Sequence, residues 1–440
     1  MPTLSHSPLQ AFGDLAALLS GDRFWPSQPP NLEQAGLSES LVEGLLLKRL
    51  LTTGRESGRA LAEHACLPFG MLEGVVQSLR TRQLLVHKGA AALNDYVYTL
   101  TDQGRQYAQH ELEVCAYQGP APVPLTDYIT SVDAQTILAE APKRSQLEEA
   151  FRDISVNPSL FDRLGPAINS GTGLFLYGAP GNGKTTLAER ITRCFGQEIW
   201  IPKVLIVEGE LIKLYDPAYH VALGTEQRRL LREDGHDQRW VKVRRPTVMV
   251  GGELTLDSLE IRHNPKANVS EAPLQMKSNG GTLLIDDFGR QRVNPVDLLN
   301  RWIVPLEKRY DFLTLASGKK VQVPFDQLII FSTNLEPKDL VDEAFLRRIP
   351  YKVNVPDPDE EEFHRLFRLA AETCQCAYDP AAVEHLLAKH FRPTGRPLRR
   401  CQPRDLLMQV HNYCAYNDVP MSMAPEYLDR VIVDYLTVVG

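Results

Sequence analysis

The segment Gly178–Thr186, with the sequence GAPGNGKTT, constrains the fold of this chain of 440 residues more than any other feature. It follows the apolar residues Leu174–Tyr177, which are typical of a buried strand, and it leads into a segment with helical periodicity. The loop fits the pattern G-x-x-x-x-G-K-[ST], whose backbone cradles phosphate groups. The sequence therefore predicts a strand, a glycine-rich loop and a helix in succession, as in an α/β sheet with chemistry at the carboxyl ends of its strands.

The residue types of this loop suit a nucleoside triphosphate. Glycines permit positive φ angles and close backbone approach, so that successive N–H groups can point at phosphate oxygens beside a helix N-terminus. Lys184 is placed to reach the β and γ phosphates, and Thr185 to offer its hydroxyl to Mg²⁺. The predicted nucleotide-binding residues of the loop are Gly178, Ala179, Pro180, Gly181, Asn182, Gly183, Lys184, Thr185 and Thr186.

A second apolar run, Thr282–Ile285, ends in two carboxylates about a hundred residues later. Two acids after a strand are often only a solvated turn, and the upstream phosphate loop is what favours a functional interpretation. We predict that Asp286 holds the Mg²⁺ shell together with Thr185. Asp287 is the predicted catalytic base that orients or deprotonates the attacking water.

A third apolar run, Leu328–Phe331, is followed by Ser332, Thr333 and Asn334. An amide at that place is suited to sensing the γ phosphate. Further on, Arg347 and Arg348 precede another apolar segment, and an arginine so placed can serve the site of a neighbouring subunit.

This order of motifs resembles the AAA+ ATPases from about residue 136 to the C-terminus. The resemblance implies ATP and Mg²⁺ as cofactors, Gly178–Thr186 as Walker A, Asp286 and Asp287 as Walker B, and Asn334 as sensor 1. It also implies Arg348 as the arginine finger with Arg347 as the substitute, Arg404 in a sensor 2 helix, and a homo-oligomeric ring, a hexamer in many members. Most members carry Glu where this chain has Asp287, which puts the rate of hydrolysis in question.

Two short strand patterns, Phe312–Leu315 and Val321–Val323, flank a turn that contains Gly318. The pair resembles the pre-sensor 1 β-hairpin of the superclade that contains MoxR-like chaperones and enhancer-binding activators. A plain surface connection is the alternative interpretation.

The N-terminal region predicts a separate module. Three helical patterns and two strand patterns between residues 38 and 115 resemble a winged helix, in which the helix at Met71–Arg82 would present Gln77, Arg80 and Arg82 to a DNA major groove. However, eight basic side chains face nine acidic ones there, so a protein-docking role is favoured over DNA binding. The predicted organisation is an arm over 1–37, the winged helix over 38–115, a proline-rich extended linker over 116–135, the α/β ATPase core over 136–355 and a helical lid over 356–440.

Composition bounds the remaining possibilities. The net charge of −7 argues against nonspecific coating of nucleic acid, and the seven cysteines show neither disulfide nor zinc spacing. No signal peptide and no apolar run long enough for a membrane span are visible, so we expect a cytoplasmic protein without membrane insertion. Arg399 and Arg400 are interpreted as a solvated basic turn. The sequence thus favours an ATPase that remodels or assembles an unknown protein client, and the alternative is a DNA-binding regulator whose ATPase controls oligomerisation.

Overall fold

The N-terminal region combines four helices with a small antiparallel sheet. In this computed structural model, residues 22–92, 95–196, 198–223, 235–341 and 343–438 are described. The elements are α1 (Glu39–Thr53), β1 (Glu56–Ser57), α2 (Gly58–Ala65), α3 (Phe69–Thr81), β2 (Leu85–Ala91), β3 (Asp95–Leu100) and α4 (Asp102–Val114), with the strand order β1-β3-β2. Side-chain oxygens of Ser38, Ser57 and Thr101 accept backbone N–H groups at the starts of α1, α2 and α4, which fixes where these helices begin.

The segment expected to be an extended linker is instead folded. It contains β4 (Val123–Pro124) and α5 (Leu125–Ala134). Tyr128 of α5 is fully buried, and its hydroxyl donates to the carbonyl of Met276 at 3.2 Å. The prolines set the extended start of this segment, but the apolar face of α5 is packed against the core, so the spacer prediction is wrong for residues 123–134.

The middle of the chain alternates helices and strands. Its elements are α6 (Arg144–Ala150), α7 (Pro158–Ser170), β5 (Gly173–Tyr177), α8 (Lys184–Thr192), β6 (Glu198–Pro202), β7 (Val204–Val207), β8 (Glu210–Lys213), β9 (Trp240–Arg244), β10 (Thr247–Val250), β11 (Arg262–Asn264), β12 (Val269–Glu271), α9 (Leu274–Lys277), β13 (Thr282–Ile285), α10 (Pro295–Arg301), α11 (Ile303–Lys308), β14 (Tyr310–Thr314), β15 (Lys320–Pro324), β16 (Leu328–Thr333), α12 (Pro337–Leu340), α13 (Glu343–Arg348) and β17 (Tyr351–Asn354).

Five of these strands form the expected parallel sheet, in the order β10-β13-β16-β5-β17. The central strands are mainly apolar and are buried except for Tyr177 at the end of β5, as in a sheet covered on both faces. Because the strands are parallel, β5, β13 and β16 all end at the same edge of the sheet. That edge therefore carries the glycine-rich loop, the two carboxylates and Asn334.

An inserted region of short strands lies between α8 and β13 and was not predicted. β6 pairs with β9, and a second sheet has the order β11-β12-β8-β7-β4. β14 and β15 form an antiparallel hairpin whose tip is docked on this region. There, the carboxylate of Glu210 accepts the backbone N–H groups of Ala316 at 2.9 Å and Ser317 at 2.8 Å.

The C-terminal region is helical, as expected. It consists of α14 (Glu360–Thr373), α15 (Pro380–Leu386), α16 (Gln402–Tyr416) and α17 (Pro425–Val438). Phe363, Phe367 and Phe391 pack edge to face in its core. In the described part of the chain, no helix has both the length and the apolar character needed to cross a membrane.

Candidate functional site

The loop after β5 requires glycine at two close approaches. Gly178 has φ +143° and Gly181 has φ +81°. A Cβ atom on Gly178 would lie 2.4 Å from the carbonyl oxygen of Val355, and one on Gly181 would lie 2.6 Å from Sγ of Cys401. The loop thus contacts the C-terminal part of the chain so closely that neither position has room for a side chain.

Lys184 is the first residue of α8, and its side chain lies across the loop. Its Nζ donates to Oδ1 of Asn334 at 2.7 Å and to the carbonyls of Gly178 and Ala179 at 3.0 Å. Burial lowers the pKa of Lys184, and the carboxylates of Asp286 and Asp287 oppose that shift. The amide oxygen of Asn334 and the two loop carbonyls are neutral acceptors. They hold the ammonium group at a place where a phosphate oxygen would be a stronger partner.

Oxygen atoms that could ligate a metal ion lie beside this lysine. Thr185 Oγ1 donates to Oδ2 of Asp286 at 2.7 Å, which joins the start of α8 to the end of β13. Asp287 is exposed with φ +50°, a conformation that Asp tolerates better than most residues, and its Oδ1 accepts from Nδ2 of Asn334 at 3.3 Å. Hydroxyl and carboxylate oxygens are the donors that Mg²⁺ prefers, so the residues present fit this metal.

One cavity of about 550 Å³ contains most of the predicted site. Of the predicted loop residues, Gly178, Ala179 and Asn182 do not line it, although the carbonyls of Gly178 and Ala179 accept from Lys184. The lining residues are Pro180, Gly181, Gly183, Lys184, Thr185, Thr186, Asp286, Asp287, Arg290, Asn334, Arg400, Cys401 and Arg404.

A smaller cavity of about 240 Å³ adjoins the first, and sequence reasoning missed it. The two share Gly183, Thr186, Arg400 and Arg404. The smaller one has mainly apolar walls, among them Ile154, Val156, Leu160, Leu187, Leu366, Leu369, Ala370 and Pro403. The signal that could have found it is the apolar residues of α14 that line it, namely Leu366, Leu369 and Ala370.

Arg399 and Arg400 are not a solvated basic turn, so that interpretation is wrong. Arg400 forms a bidentate pair with Glu362 at 2.5 and 3.0 Å, and the two side chains are only 10% and 3% exposed. Arg399 pairs with Asp357, which also accepts from Nδ2 of Asn182 at 2.6 Å. Arg399 therefore connects to the glycine-rich loop through Asp357, while the backbone N–H of Arg400 donates to Oδ1 of Asn182 in that loop at 3.3 Å.

The remaining predicted arginines differ in their surroundings. Arg404 lies at the start of α16, is 73% exposed and contacts Asp405 at 3.0 Å, so its side chain is at the wall of the larger cavity. Arg348 lies at the end of α13 and pairs with Glu307 at 2.7 Å. Neither Arg348 nor the exposed Arg347 lines this cavity.

A family model described as a domain of unknown function, DUF8689, matches residues 359–433, which lie in the C-terminal helical region. No curated protein matches the chain.

Among solved structures, NtrX from Brucella abortus is similar with a TM-score of 0.39 and 14% identity, over 62% of this chain and 54% of that chain. A mutant of RuvB from Thermotoga maritima has a TM-score of 0.37 and 13% identity, over 62% of this chain and 68% of that chain. The chain thus spans about half the length of the NtrX structure. The α/β assignment rests on the strand order itself.

Proposed function

We propose that this chain is a Mg²⁺-dependent ATPase of the AAA+ type that remodels or assembles a protein client. One observation carries the proposal: the phosphate-loop lysine, the Thr185–Asp286 pair and Asn334 meet at one edge of a parallel sheet and line a single cavity. In this arrangement, the positive charge of Lys184 faces the place where negative charge develops on a triphosphate.

Each residue at the cavity has a distinct role in the proposed reaction. Lys184 exchanges its contacts with Asn334 and the loop carbonyls for β and γ phosphate oxygens. Thr185 and Asp286 would hold Mg²⁺, which would neutralise phosphate charge when bound. Asp287 orients the attacking water and accepts its proton, and Asn334 keeps that carboxylate directed at the cavity through its amide contact.

The apolar cavity is suited to the adenine base. It adjoins the phosphate cavity at Gly183 and Thr186, and its walls come both from residues near α7 and from α14. A base placed there is covered by the C-terminal helices, and Arg404 lies at the junction of base and phosphates. ATP binding would then bring the lid and the core together around one ligand.

A complete site in this proposal needs a second subunit. Arg348 is held by Glu307, and neither it nor Arg347 lines the cavity of its own chain. An arginine at the end of α13 therefore acts on the nucleotide of a neighbour in a homo-oligomer, and such trans arginines contribute roughly 10³ to 10⁵ in rate where they are known.

For the N-terminal region we propose a winged helix that docks protein. Arg82, one of the three side chains assigned to a DNA groove, is held within the region by Glu43 at 2.6 Å. The alternative, a DNA-binding regulator, predicts that the chain binds duplex DNA with a steep negative salt dependence. Absence of duplex binding by the full chain at low salt would remove this alternative.

Phosphate release and binding of a fluorescent ATP analogue test the ATPase proposal together. We expect Lys184→Ala to lose both, and Asp287→Asn to keep analogue binding while losing turnover. Lys143→Ala is the matched control, because this exposed lysine does not line either cavity. Full analogue affinity in Lys184→Ala would contradict the assignment of the loop.

A further inference from the structure

A second large cleft lies away from the nucleotide cavities. It lies between the N-terminal region and the sheet with the order β11-β12-β8-β7-β4, which we call the inserted sheet. It has a volume of about 710 Å³, within the range of roughly 300 to 1,000 Å³ that ligand sites occupy, and such sites favour the junctions of folded units. One wall is the connection 116–120 after α4, and the floor is the sheet that contains β7, β8, β11 and β12.

The floor of the cleft carries a row of charged side chains in register. Arg262 on β11 is paired with Glu271 on β12, which is paired in turn with Lys213 on β8. These residues lie on the same face of the sheet, since each is a direct cross-strand partner of the next. Lys203 contributes a further cation to the lining.

The charge balance of this lining is opposite to that of the whole chain. Lys203, Lys213 and Arg262 face a single carboxylate, that of Glu271, whereas the chain has a net charge of −7. Glu271 is engaged by Arg262 at 3.0 Å, and Lys213 has no carboxylate of a described residue within ion-pair distance. An anionic ligand therefore finds local attraction in this cleft.

Two features favour an extended peptide over nucleic acid. β11 is an edge strand, so backbone N–H and C=O groups on its outer side have no partner within the sheet and can pair with an added strand. The two tyrosines of the lining are poorly placed to stack on bases: Tyr117 is buried with its hydroxyl donating to Pro120, and Tyr215 is stacked on His220.

We propose that this cleft binds an extended acidic segment of the client protein, with backbone pairing along β11, a carboxylate held by Arg262, and the positive charge of Lys213 attracting the segment across the face of the sheet. The proposal deepens the proposed function and rests on it, because it assigns the place where the client docks. The cleft is connected to the nucleotide site: β12 continues through α9 into β13, the strand that ends at Asp286. Lys277 at the end of α9 also pairs with Asp216, just after β8, at 2.8 Å.

The test uses the full chain and a fluorescein-labelled peptide of alternating glutamate and threonine, which favours extended structure. Fluorescence anisotropy at low salt should show binding, and Lys213→Glu should weaken it by about tenfold or more, because an attractive charge becomes a repulsive one. Lys143→Glu is the matched control, because it makes the same change of charge outside the cleft. Its affinity for the peptide should stay within about twofold of the wild-type affinity.

Three results would overturn the proposal: no binding of the acidic peptide by the wild-type chain, equal loss of affinity in Lys213→Glu and Lys143→Glu, or tighter binding of a labelled oligothymidylate with the same sensitivity to Lys213→Glu. Binding of the fluorescent ATP analogue is measured on the same samples. Intact analogue binding with no peptide binding removes only the cleft assignment, whereas peptide binding without analogue binding removes only the ATPase proposal.

Discussion

The buried pair between Glu362 and Arg400 yields the most specific prediction about the lid. Glu362 lies in the first turn of α14, and Arg400 precedes α16 and lines both cavities. Replacing Glu362 by Gln keeps the size of the side chain but leaves the guanidinium buried without its counter-charge. Removing one partner of a buried pair costs about 3 to 5 kcal/mol. Since Arg400 keeps its bond to the carbonyl of Ser155 at 3.1 Å, we expect the lower end, about 3 kcal/mol.

Amide hydrogen exchange along α14 measures this cost without assuming that the whole chain unfolds in one step. A loss of about 3 kcal/mol corresponds to exchange that is roughly a hundredfold faster, because each 1.4 kcal/mol is about a factor of ten. Glu360→Gln is the matched control: it changes the same helix turn and also removes a partner of an arginine, Arg392, but those side chains are 49% and 43% exposed. Such an exposed pair contributes little to stability, because solvent and salt screen its charges.

Equal acceleration in the two variants would refute the reasoning from burial. The double variant Glu362→Gln/Arg400→Gln gives a further check, because removing both charges eliminates the unpaired guanidinium. We expect it to exchange more slowly than Glu362→Gln alone. If it exchanges faster, the cost comes from lost packing and not from an uncompensated charge.

Three further outcomes are expected. Arg348→Ala should bind ATP normally but lose turnover by about 10³ or more in steady-state phosphate release, and unchanged turnover would transfer the trans role to Arg347. Leu369→Gln, in the apolar cavity, should weaken the binding of an adenosine triphosphate analogue by about tenfold in a titration and leave the binding of inorganic triphosphate unchanged, since only the base loses apolar contact. Equal loss of affinity for both ligands would contradict an adenine site. Asp429→Asn should destabilise the C-terminal helices by about 1.5 kcal/mol at pH 7. Burial raises the pKa of Asp429, but hydrogen bonds from Lys389, His390 and His385 outweigh that effect and hold the pKa well below the usual range. The stability that these bonds contribute is therefore present above the pKa of the unfolded carboxyl, near 4, and is lost as the pH falls below it. The difference in melting temperature between wild type and variant should therefore shrink from pH 7 to pH 3, and a constant difference would contradict this account.

The elements around the phosphate loop were predictable because their signals are local. An apolar run, a glycine-rich loop and a helix follow one another within Leu174–Thr192, and each polar residue at the edge of the sheet directly follows its own apolar strand. The parallel arrangement then brings Asp286 and Asn334 together with the loop, since neighbouring parallel strands end at the same edge. Only the adjacency of the strands had to be supplied by the resemblance.

The features that the sequence did not reveal depend on distant partners. Arg399 and Arg400 have the composition of a solvated turn, and only folding places Asp357 and Glu362, about forty residues earlier in the chain, against them. The prolines before α5 indicated an extended spacer and not a helix. The partner that buries Tyr128 of this helix, Met276, lies about 150 residues later in the chain. The strands of the inserted sheet have at most a few residues each. In strands so short, the alternation of apolar and polar residues cannot be distinguished from chance.

The inserted sheet is linked along the chain to both strands that deliver the proposed chemistry. β12 leads through α9 to β13 and Asp286, while the tip of the β14–β15 hairpin is held by Glu210 and leads to β16 and Asn334. Because β13 pairs with residues 328–331 of β16, a displacement of the inserted sheet would act on a carboxylate and an amide whose strands are already joined. A ligand bound in the cleft beside this sheet therefore needs no separate hinge to affect the nucleotide site. It needs only to bind one position of the sheet more tightly than another. The size of its effect is limited by that difference in binding free energy.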